Sequence, residues 1–440
     1  MPSAAPPAFI LFGDLPKIGP FLADLTSRGL AVLLVTGPPR SSLERRAAEF
    51  LDAPGHPFAA VTEVRVLRGE DRVGILDQVA EWSRRYAVVG VLAAAEVFVE
   101  PAALATDLLG LPGVGLRAAR VCRNKFLQRL YLARWSPASE LVTERTRASV
   151  VERFAGRFPV VVKPLELWSS IGVRAFDDGD ELAAHLADLD PGTEVLVEER
   201  VRGPEFNVDA IVVDDECAFT AVTQKGTNEG STRFFAELTH TTPPANLDAA
   251  GARLLGDTHA AVVRRLGFGT GMAHAEYRLT PGGEVVLMEI AARPPGDGCL
   301  HLHHLATGRP VEPALVEVAL GGRVDHPEPV RRARQTYFEH EPGELRDVAV
   351  RSAGDGPPAW VVDTGCWPPL EPVAADAPAG LRAVLVLKER GERLRPITES
   401  GDRAVTAIFD APLDADVDAL EAEVRGAITI DTARPDRADG

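Results

Sequence analysis

The sequence of 440 residues predicts a mixed α/β protein with a parallel sheet near the N-terminus and an α+β region after it. Its length implies two to four domains at about 100–200 residues each. Short apolar strands alternate with helical segments through the first third of the chain, a pattern typical of a parallel sheet covered by helices. Between residues 194 and 291, strand-like segments are separated by short turns, which indicates antiparallel hairpins.

The composition argues against several classes of partner and location. The formal net charge is −17, and no basic block interrupts the acidic sequence. An acidic surface repels phosphate backbones and anionic lipids, so we expect neither a nucleic acid nor a membrane partner. No apolar run reaches the roughly 18 residues of a membrane span, and the N-terminus lacks the basic flank of a secretory signal. The four cysteines lie far apart without a CxxC pair, so we expect a cytoplasmic protein without disulfides.

The first third of the chain is predicted to be a Rossmann-like α/β domain. Strands are predicted over residues 8–12, 31–35 and 86–92, and helices over residues 17–28 and up to residue 109. Residues 13–19 do not have the GxGxxG pattern of dinucleotide sites, which favours a structural or substrate-binding role. Proline and glycine at positions 112 and 113 mark the end of this domain.

The remainder of the chain mixes helices with antiparallel strands. Helices are predicted over residues 120–134 and 414–427, strands over 159–164 and 194–201, and hairpins over 207–223 and 274–291. From about residue 324 the sequence is richer in proline and carries no motif that we can assign.

The hairpin at residues 274–291 contains the most informative pair of residues. If Gly282 and Gly283 form a two-residue turn, residues whose numbers sum to 565 face each other, and Glu276 lies opposite Glu289. Two carboxylates at such a separation repel each other unless a cation compensates them. Magnesium binds through one or two carboxylates and completes its coordination with water and substrate phosphates. The alternative is a solvated hairpin whose glutamates point at water.

Three more side chains share the face of these two glutamates by strand parity. They are His274, Ala291 and Arg293. Arg293 is predicted either to pair with the glutamates as a structural salt bridge or to bind an anionic substrate or transition state.

Lysine is scarce, with five among the 47 basic residues, and this draws attention to the positions that keep it. Lys163 ends an apolar strand and precedes a loop that contains Ser169, Ser170 and Gly172. Backbone N–H groups of such a loop can converge on an anion, and the lysine adds a point charge for a phosphate. The alternative is a plain hairpin with a solvated lysine.

Two further acidic segments have both a functional and a structural interpretation. Glu198 and Glu199 end one strand and Glu205 begins the next. A strand edge of this kind can bind adenine and ribose, and the alternative is an edge strand whose acids only increase solubility. Lys225 precedes a loop suited to closing over a site, and beyond it Glu237 and His240 place an acid and a base three residues apart. The alternative there is an ordinary surface loop.

Six segments in this order resemble the ATP-grasp superfamily of carboxylate–amine ligases. They are Arg123–Lys125, Val161–Pro164, Ser169–Gly172, Val197–Glu205, His274–Glu276 and Met288–Asp297. The resemblance covers about residues 111–322. Within the superfamily the chain is most similar to the L-amino acid ligases that make dipeptides, because Glu237, His240 and Arg293 match that group's substrate-side acid, base and arginine.

The resemblance implies an architecture of four parts. A Rossmann-like domain covers residues 1–112, a small ATP-grasp lobe with the phosphate loop covers 113–192, and a large lobe with the metal hairpin covers 193–323. Residues 324–440 form a small α+β extension of unassigned role.

The resemblance also implies roles for individual residues. Lys125 and Lys163 contact the ATP phosphates, and Ser169, Ser170 and Gly172 belong to the loop that covers them. For the nucleoside, it implies that Glu198, Glu199 and Val201 bind adenine and that Glu205 binds ribose. For the metal and the γ-phosphate, it implies that Glu276 and Glu289 bind Mg²⁺ (or Mn²⁺), that Lys225 contacts the γ-phosphate and that Arg293 stabilises phosphoryl transfer. His240 and Glu237 are implied to bind or deprotonate the amine.

The implied reaction is an ADP-forming ligation of two small molecules, a carboxylate and an amine, both of them amino acids in the closest group. Ala291 departs from the family pattern because an asparagine metal ligand is usual there. Two alternatives therefore stay open: another ATP-grasp activity, of the biotin carboxylase or purine-pathway type, and a nucleotide-binding protein with a degraded site. A homodimer is also left open.

Overall fold

The computed structural model of the protein describes residues 5–351 and 356–433, and its N-terminal part is built on a parallel four-stranded sheet. The strand order is β3-β2-β1-β4. The strands are β1 (Pro7–Phe12), β2 (Ala31–Thr36), β3 (Val61–Val66) and β4 (Ala87–Ala93), and the helices are α1 (Leu15–Ser27), α2 (Ser42–Glu49), α3 (Arg72–Ser83) and α4 (Val99–Leu109). The predicted α/β fold with an N-terminal parallel sheet is confirmed. The sequence prediction did not include α2, β3 or α3.

A second, antiparallel sheet of four strands follows in the order β5-β8-β6-β7. Its strands are β5 (Ser139–Val142), β6 (Val160–Pro164), β7 (Arg174–Phe176) and β8 (Val195–Glu199), and the accompanying helices are α5 (Leu116–Cys122), α6 (Lys125–Tyr131), α7 (Val150–Arg153) and α8 (Gly179–Ala187). A core of apolar side chains, among them Val160, Val162, Phe176 and Leu182, lies between this sheet and its helices.

The single helix predicted over residues 120–134 is wrong, because the chain forms α5 and α6 with a break between them. The Asn124 side chain accepts a hydrogen bond from the Leu127 N–H at 3.1 Å and so caps the start of α6. Lys125 consequently lies at the first position of α6, where the break turns it towards the cleft described below.

A nine-stranded sheet forms the centre of the molecule, in the order β13-β12-β9-β10-β11-β14-β19-β17-β16. Its first five strands are β9 (Glu205–Val213), β10 (Glu216–Thr227), β11 (Glu237–Thr242), β12 (Gly271–Leu279) and β13 (Val285–Ala291). The helices of this part are α9 (Ala249–Leu266), α10 (Cys299–Thr307) and α11 (Glu312–Ala319). Strands β9 and β12 are almost entirely buried, which holds the residues at the ends of these strands in fixed positions.

The C-terminal residues add strands to the same large sheet. The elements are β14 (Arg331–Tyr337), β15 (Gly343–Val350), β16 (Ala359–Trp360), α12 (Val361–Thr364), β17 (Gly380–Val386), β18 (Arg393–Leu394), β19 (Val405–Pro412), α13 (Val417–Ala427) and β20 (Ile428–Ala433). Strand β14 pairs with β11, while β18, β15 and β20 form a small separate sheet. The four-part division of the chain stays a prediction, and residues 352–355 and 434–440 of its last part lie outside the described residues.

Within the described ranges, no helix combines the length and the apolar character needed to cross a bilayer. All four cysteines are free thiols; Cys122 and Cys299 are buried, and Cys217 and Cys366 are partly buried.

Candidate active site

A cleft of about 990 Å³ opens between the small antiparallel sheet and the β12–β13 end of the large sheet. Most of the residues predicted to form a site line it: Lys125, Lys163, Ser169, Ser170, Glu198, Glu199, Val201, Glu205, Lys225, Glu237, Glu276, Glu289 and Arg293. Gly172 and His240 are not among the lining residues. The structure thus brings together residues from positions 125 to 293, while the role of each one stays a prediction.

One side of the cleft carries basic groups around a single buried acid. The Lys163 Nζ lies 2.8 Å from one Glu198 carboxylate oxygen, and Arg129 binds the other. Burial alone would raise the pKa of Glu198, but the charges of Arg129 and Lys163 outweigh it and hold the pKa at about 2. Arg129 also donates to the Met288 carbonyl oxygen at 2.6 Å and so ties α6 to β13.

Lys125 joins this side of the cleft to the opposite one. Its Nζ donates to the Leu167 carbonyl oxygen at 2.6 Å and lies 3.0 Å from a Glu289 carboxylate oxygen. Both Lys125 and Lys163 therefore present ammonium groups to the cleft, held by hydrogen bonds that leave further N–H donors for an anion.

The predicted phosphate loop, residues 165–172, lies over the cleft in an unusual backbone conformation. Ser169 and Ser170 have φ angles of 58° and 59°, and Gly172 has a φ of 71°. The Ser170 hydroxyl donates to the Phe235 carbonyl oxygen at 3.0 Å, and the Trp168 ring lies within 6 Å of the Arg40 and Arg123 guanidinium carbons. The two guanidinium groups make cation–π contacts with the Trp168 ring, which itself lines the cleft.

Gly172 takes part in the shape of the loop but not in its lining. A Cβ added at position 172 would lie 2.9 Å from the Pro164 ring, and the positive φ is itself unfavourable for other residues. Glycine is therefore required where the loop returns to β7.

The opposite side of the cleft is built on the β12–β13 hairpin, and Glu276 does face Glu289 there. The predicted two-residue turn is wrong, however. Thr280 pairs with Glu284 through a 2.9 Å hydrogen bond, so the loop holds three residues, with Gly283 at a φ of 81°.

A β-bulge restores the predicted pairing of the glutamates. Near the turn the paired residues sum to 564, as in Leu279 with Val285 and Tyr277 with Leu287. Met288 is the extra residue, and beyond it the sum is 565. Without the bulge, Met288 would lie opposite Glu276, so the bulge decides which side chain faces this carboxylate.

Lys225 lies at the centre of the acidic side. Its Nζ contacts carboxylate oxygens of Glu205 at 2.9 Å, Glu237 at 2.6 Å and Glu276 at 3.0 Å. Burial acts to lower the pKa of Lys225, but the three carboxylates outweigh it and raise the pKa well above its ordinary value. The lysine is thus a fixed cation on the acidic side of the cleft.

The ionised form of the Glu276 carboxylate is disfavoured in this surrounding. Burial raises its pKa above the ordinary value, the Lys225 charge opposes that change, and the neighbouring carboxylates of Glu237, Glu205 and Glu289 reinforce it. A cation bound beside Glu276 and Glu289 would favour the ionised form of both carboxylates. Mg²⁺ is such a cation, because it binds one or two carboxylates in protein sites.

Glu205 has both of its carboxylate oxygens occupied. Lys225 binds one, and the Arg278 Nε donates to the other at 2.8 Å. Burial alone would raise its pKa, but these two cations hold it at about 2. Arg278 was not singled out in the sequence analysis, although its even spacing from Glu276 along β12 places it on the same face.

Arg293 lies on the face of the two glutamates, as parity predicts, but its partner comes from the N-terminal part of the chain. Its Nε donates to a Glu96 carboxylate oxygen at 2.5 Å, and the Arg123 Nη1 binds the other Glu96 oxygen at 2.8 Å. Sequence reasoning missed the role of Glu96. The sequence signal was that Glu96 interrupts an apolar stretch at residues 86–99, and the structure shows that it is buried.

His274 is held by an acid that the sequence analysis also missed. Its Nδ1 lies 2.7 Å from one Asp209 oxygen, and the His303 Nε2 lies 3.0 Å from the other. Burial acts to raise the pKa of Asp209, but the two histidines outweigh it and hold the pKa below its ordinary value. Asp209 is directly paired with His274 on the adjacent strand, and this pairing is visible only in the sheet.

His240 lies behind the cleft wall. Its Nε2 is 3.5 Å from a Glu237 oxygen, and its side chain is 1% exposed. Glu237, His240 and Asp297 form a cluster of groups that bind metals in other proteins. Here Lys225 neutralises Glu237, and Arg403 binds both Asp297 oxygens at 2.6 and 3.0 Å. Protein cations therefore already balance the acids of this cluster.

Comparison with known proteins agrees with this arrangement. Residues 156–301 match the ATP-grasp domain family. Dapdiamide A synthase of Enterobacter agglomerans is 30% identical over 54% of this chain and 59% of its own length, and alanine–anticapsin ligase of Bacillus subtilis is 25% identical over 50% of this chain and 51% of its own length. The chain spans about one third to three fifths of the length of the first curated relatives it matches.

The fold is also similar to solved structures. The crystal structure of L-amino acid ligase from Bacillus licheniformis superimposes with a TM-score of 0.74 at 20% identity, covering 98% of this chain and 100% of that one. Residues 156–301 thus match the ATP-grasp domain family, and the fold of the whole chain is similar to that of an L-amino acid ligase.

Proposed function

We propose that the protein is an ATP-dependent, ADP-forming ligase that joins the carboxylate of one amino acid to the amine of a second. The observation that carries the proposal is the pair Glu276–Glu289, which lines the same cleft as Lys163 and Lys125. The names of dapdiamide A synthase, alanine–anticapsin ligase and L-amino acid ligase support the substrate class, because the last two name amino acids or their ligation.

The residues of the cleft suit magnesium and a triphosphate. Glu276 and Glu289 would hold the metal through carboxylate oxygens, and Lys125, Lys163 and the phosphate loop would hold the phosphates. Bound Mg²⁺ supplies charge neutralisation for a phosphoryl group in transfer. Ala291 offers no side-chain oxygen, so water completes the coordination in this proposal, and Mn²⁺ is the alternative metal.

The proposed reaction has two steps. A carboxylate oxygen of the first substrate attacks the γ-phosphorus of ATP, the bond to the β,γ-bridging oxygen breaks, and ADP leaves. The amine nitrogen of the second substrate then attacks the acyl carbon, the C–O bond to phosphate breaks, and the products are an amide, phosphate and one proton. Arg293 offsets the charge that develops on the transferring group, while Glu237 binds the ammonium form or, with His240 behind it, accepts its proton.

A location in the cytoplasm belongs to the same proposal. The free cysteines of the chain and a need for cytoplasmic ATP and amino acids support it. The chain is proposed to act on small molecules only, and a homodimer is compatible with the fold.

The test is release of ADP from ATP and Mg²⁺ with a panel of amino-acid pairs, with the amide product identified by mass spectrometry. Glu289→Gln is expected to lower the rate about 10²–10³-fold, because one charged group is removed from the reacting centre. Glu284→Gln, an exposed position in the turn of the same hairpin, is the control and is expected to match the wild type.

Three outcomes contradict the proposal in different ways. Full ADP release by Glu289→Gln would remove the metal role of this residue. Dependence on bicarbonate instead of an amine would indicate an activity of the carboxylase type. Binding of ATP in calorimetry without turnover on any carboxylate would indicate a nucleotide-binding protein with a degraded site.

A further inference from the structure

The C-terminal part of the chain, which no motif explains, contacts residues that line the cleft through residues 397–403. This C-terminal segment contains the short helical turn Ser400–Asp402 and ends at Arg403, just before β19. It contacts the phosphate loop on one side and the strand that carries Glu237 on the other.

The contact with the phosphate loop is made by the backbone. The Ser400 N–H donates to the Ser169 carbonyl oxygen at 3.2 Å. Ser169 and Ser170 are in the left-handed region, which costs a residue with a β-carbon on the order of 1–3 kcal/mol, so surrounding contacts must hold the loop in place. The hydrogen bonds to Ser400 and Phe235 are two such contacts.

Hydrogen bonds to one carboxylate hold the C-terminal segment together. The Asp402 carboxylate accepts hydrogen bonds from the Thr398 N–H at 3.1 Å, the Thr398 hydroxyl at 2.9 Å and the Glu399 N–H at 3.2 Å. Because three hydrogen bonds to one carboxylate close this turn, its backbone has little freedom to rotate. We therefore expect a displacement at Ser400 to move the neighbouring residues as well.

Arg403 connects the same segment to the acidic wall of the cleft. Its Nε donates to the Ser400 carbonyl oxygen at 2.8 Å, its Nη1 donates to the Glu237 carbonyl oxygen at 3.0 Å, and its Nη atoms bind both oxygens of Asp297. The guanidinium lies 3.8 Å from the Tyr337 ring centroid and the residue is 6% exposed. Five donors in one plane allow a single arginine to fix all three partners.

The wall that Arg403 holds leads directly to the reacting centre. Glu237 binds Lys225, and Lys225 binds Glu276. Asp297, with a φ of 54°, follows Arg293 by four residues. A continuous series of contacts therefore runs from Ser169 through Ser400 and Arg403 to the acidic wall.

We infer that the C-terminal segment couples closure of the phosphate loop to the acidic wall, with Arg403 as the positioning residue of this coupling. The inference rests on the proposed function. Its consequence is that the activated carboxylate is shielded from water until the amine attacks. When the coupling is broken, water attacks the acyl phosphate, the bond to phosphate breaks, and carboxylate, phosphate and a proton are released without an amide.

The sharpest variant removes a single hydrogen-bond donor. A proline fits at position 400 for two reasons. Ser400 is the first residue of its helical turn, and Glu399 before it is extended, with a ψ of 167°. Ser400→Pro deletes the N–H that binds Ser169. Ser400→Ala keeps it and is the matched control, because the Ser400 hydroxyl has no partner.

The first measurement uses hydrogen exchange on the ligand-free, full-length protein. Amides of residues 165–172 are expected to exchange about 2- to 10-fold faster in Ser400→Pro than in the wild type, as the loss of one hydrogen bond allows. Ser400→Ala is expected to match the wild type. Equal exchange in all three proteins would overturn the coupling, and this result does not depend on any ligase activity.

The second measurement is the ratio of ADP released to amide formed. The wild type and Ser400→Ala are expected to give a ratio near one, and Ser400→Pro and Arg403→Lys a ratio raised several-fold, because Arg403→Lys keeps the charge but loses the planar set of donors. Arg331→Lys is the control, since Arg331 also binds an aspartate in a buried site of the large sheet, far along it at Asp410.

A purely structural role for Arg403 would give a different pattern. Arg403→Lys and Arg331→Lys would then lower the unfolding midpoint to a similar degree, and neither would change the ratio. That result would overturn the inference while leaving the ligase activity intact, whereas absence of ADP release from the wild type would count against the proposed function alone.

Discussion

The two sides of the cleft have opposite electrostatic character. On the side of α6, β6 and β8, Lys163 and Arg129 pair with one buried acid, Glu198, and Lys125 adds a third cation. On the side of the large sheet, three carboxylates surround Lys225, namely those of Glu205, Glu237 and Glu276. Arg278 also binds Glu205, and a fourth carboxylate, Glu289, lies opposite Glu276. Lys125 and Glu289 meet between the two sides at 3.0 Å.

Under the proposed function, this difference in charge would orient a metal–triphosphate complex in the cleft. A polyanion is attracted to the cationic side, and a divalent cation or an ammonium group to the acidic side. Each side is stable by itself only because buried partners satisfy its charges. Variants that change one side of the cleft at a time therefore test this difference in charge between the two sides.

The largest effect is expected from loss of the central cation on the acidic side. Lys225→Met leaves buried carboxylates unpaired and is expected to lower the free energy of unfolding by about 3–5 kcal/mol. Lys388→Met is the control, because Lys388 pairs with Glu392 four residues away in a partly exposed turn and contributes about 0.5 kcal/mol or less. Urea unfolding measures both, and a change under 1 kcal/mol for Lys225→Met would show that the acidic side does not need its lysine.

A somewhat smaller effect is expected on the cationic side. The pKa of Glu198 is lowered from 4.5 to about 2, so its contribution to stability is present above pH 4.5 and is lost as the pH falls towards 2. At about 1.4 kcal/mol per unit this amounts to about 3 kcal/mol. Glu198→Gln is expected to lose this amount at pH 7 and to unfold with a flatter pH dependence.

Glu199→Gln serves as the control for that experiment, since Glu199 is the next residue and is exposed. Its free energy of unfolding is expected to stay within about 0.5 kcal/mol of the wild type. Parallel pH profiles for the wild type and Glu198→Gln would contradict the assignment of the buried acid.

The smallest effect on stability is expected from a change that keeps the charge. Lys163→Arg preserves a cation beside Glu198 and is expected to alter the free energy of unfolding by less than about 1 kcal/mol. Its affinity for a non-hydrolysable ATP analogue, measured by calorimetry, is expected to fall about tenfold, because a planar guanidinium replaces a compact ammonium. Unchanged affinity would place the phosphates away from Lys163.

Local sequence patterns predicted the parts of the site that lie within one element or one turn. The facing of Glu276 and Glu289 was predicted from the hairpin, although the turn holds three residues and the bulge at Met288 restores the pairing. A short sequence does not reveal a bulge, because the packing of the strand against its neighbours decides whether the strand pairs regularly or forms a bulge. The break between α5 and α6 was missed for a similar reason, since the capping role of Asn124 competes with helical propensity.

The sequence by itself determined the composition of the site: the scarce lysines, the paired acids of one hairpin, the loop of small residues and the order in which they occur. Period-two strands and short turns encode such relations within about 20 residues. Only the tertiary structure decided that Glu96, Asp209 and Arg403 belong beside Arg293, His274 and Glu237. These partners lie 65 to 197 residues apart in the chain, and a buried charge is satisfied by whichever group the packing of distant strands brings near it.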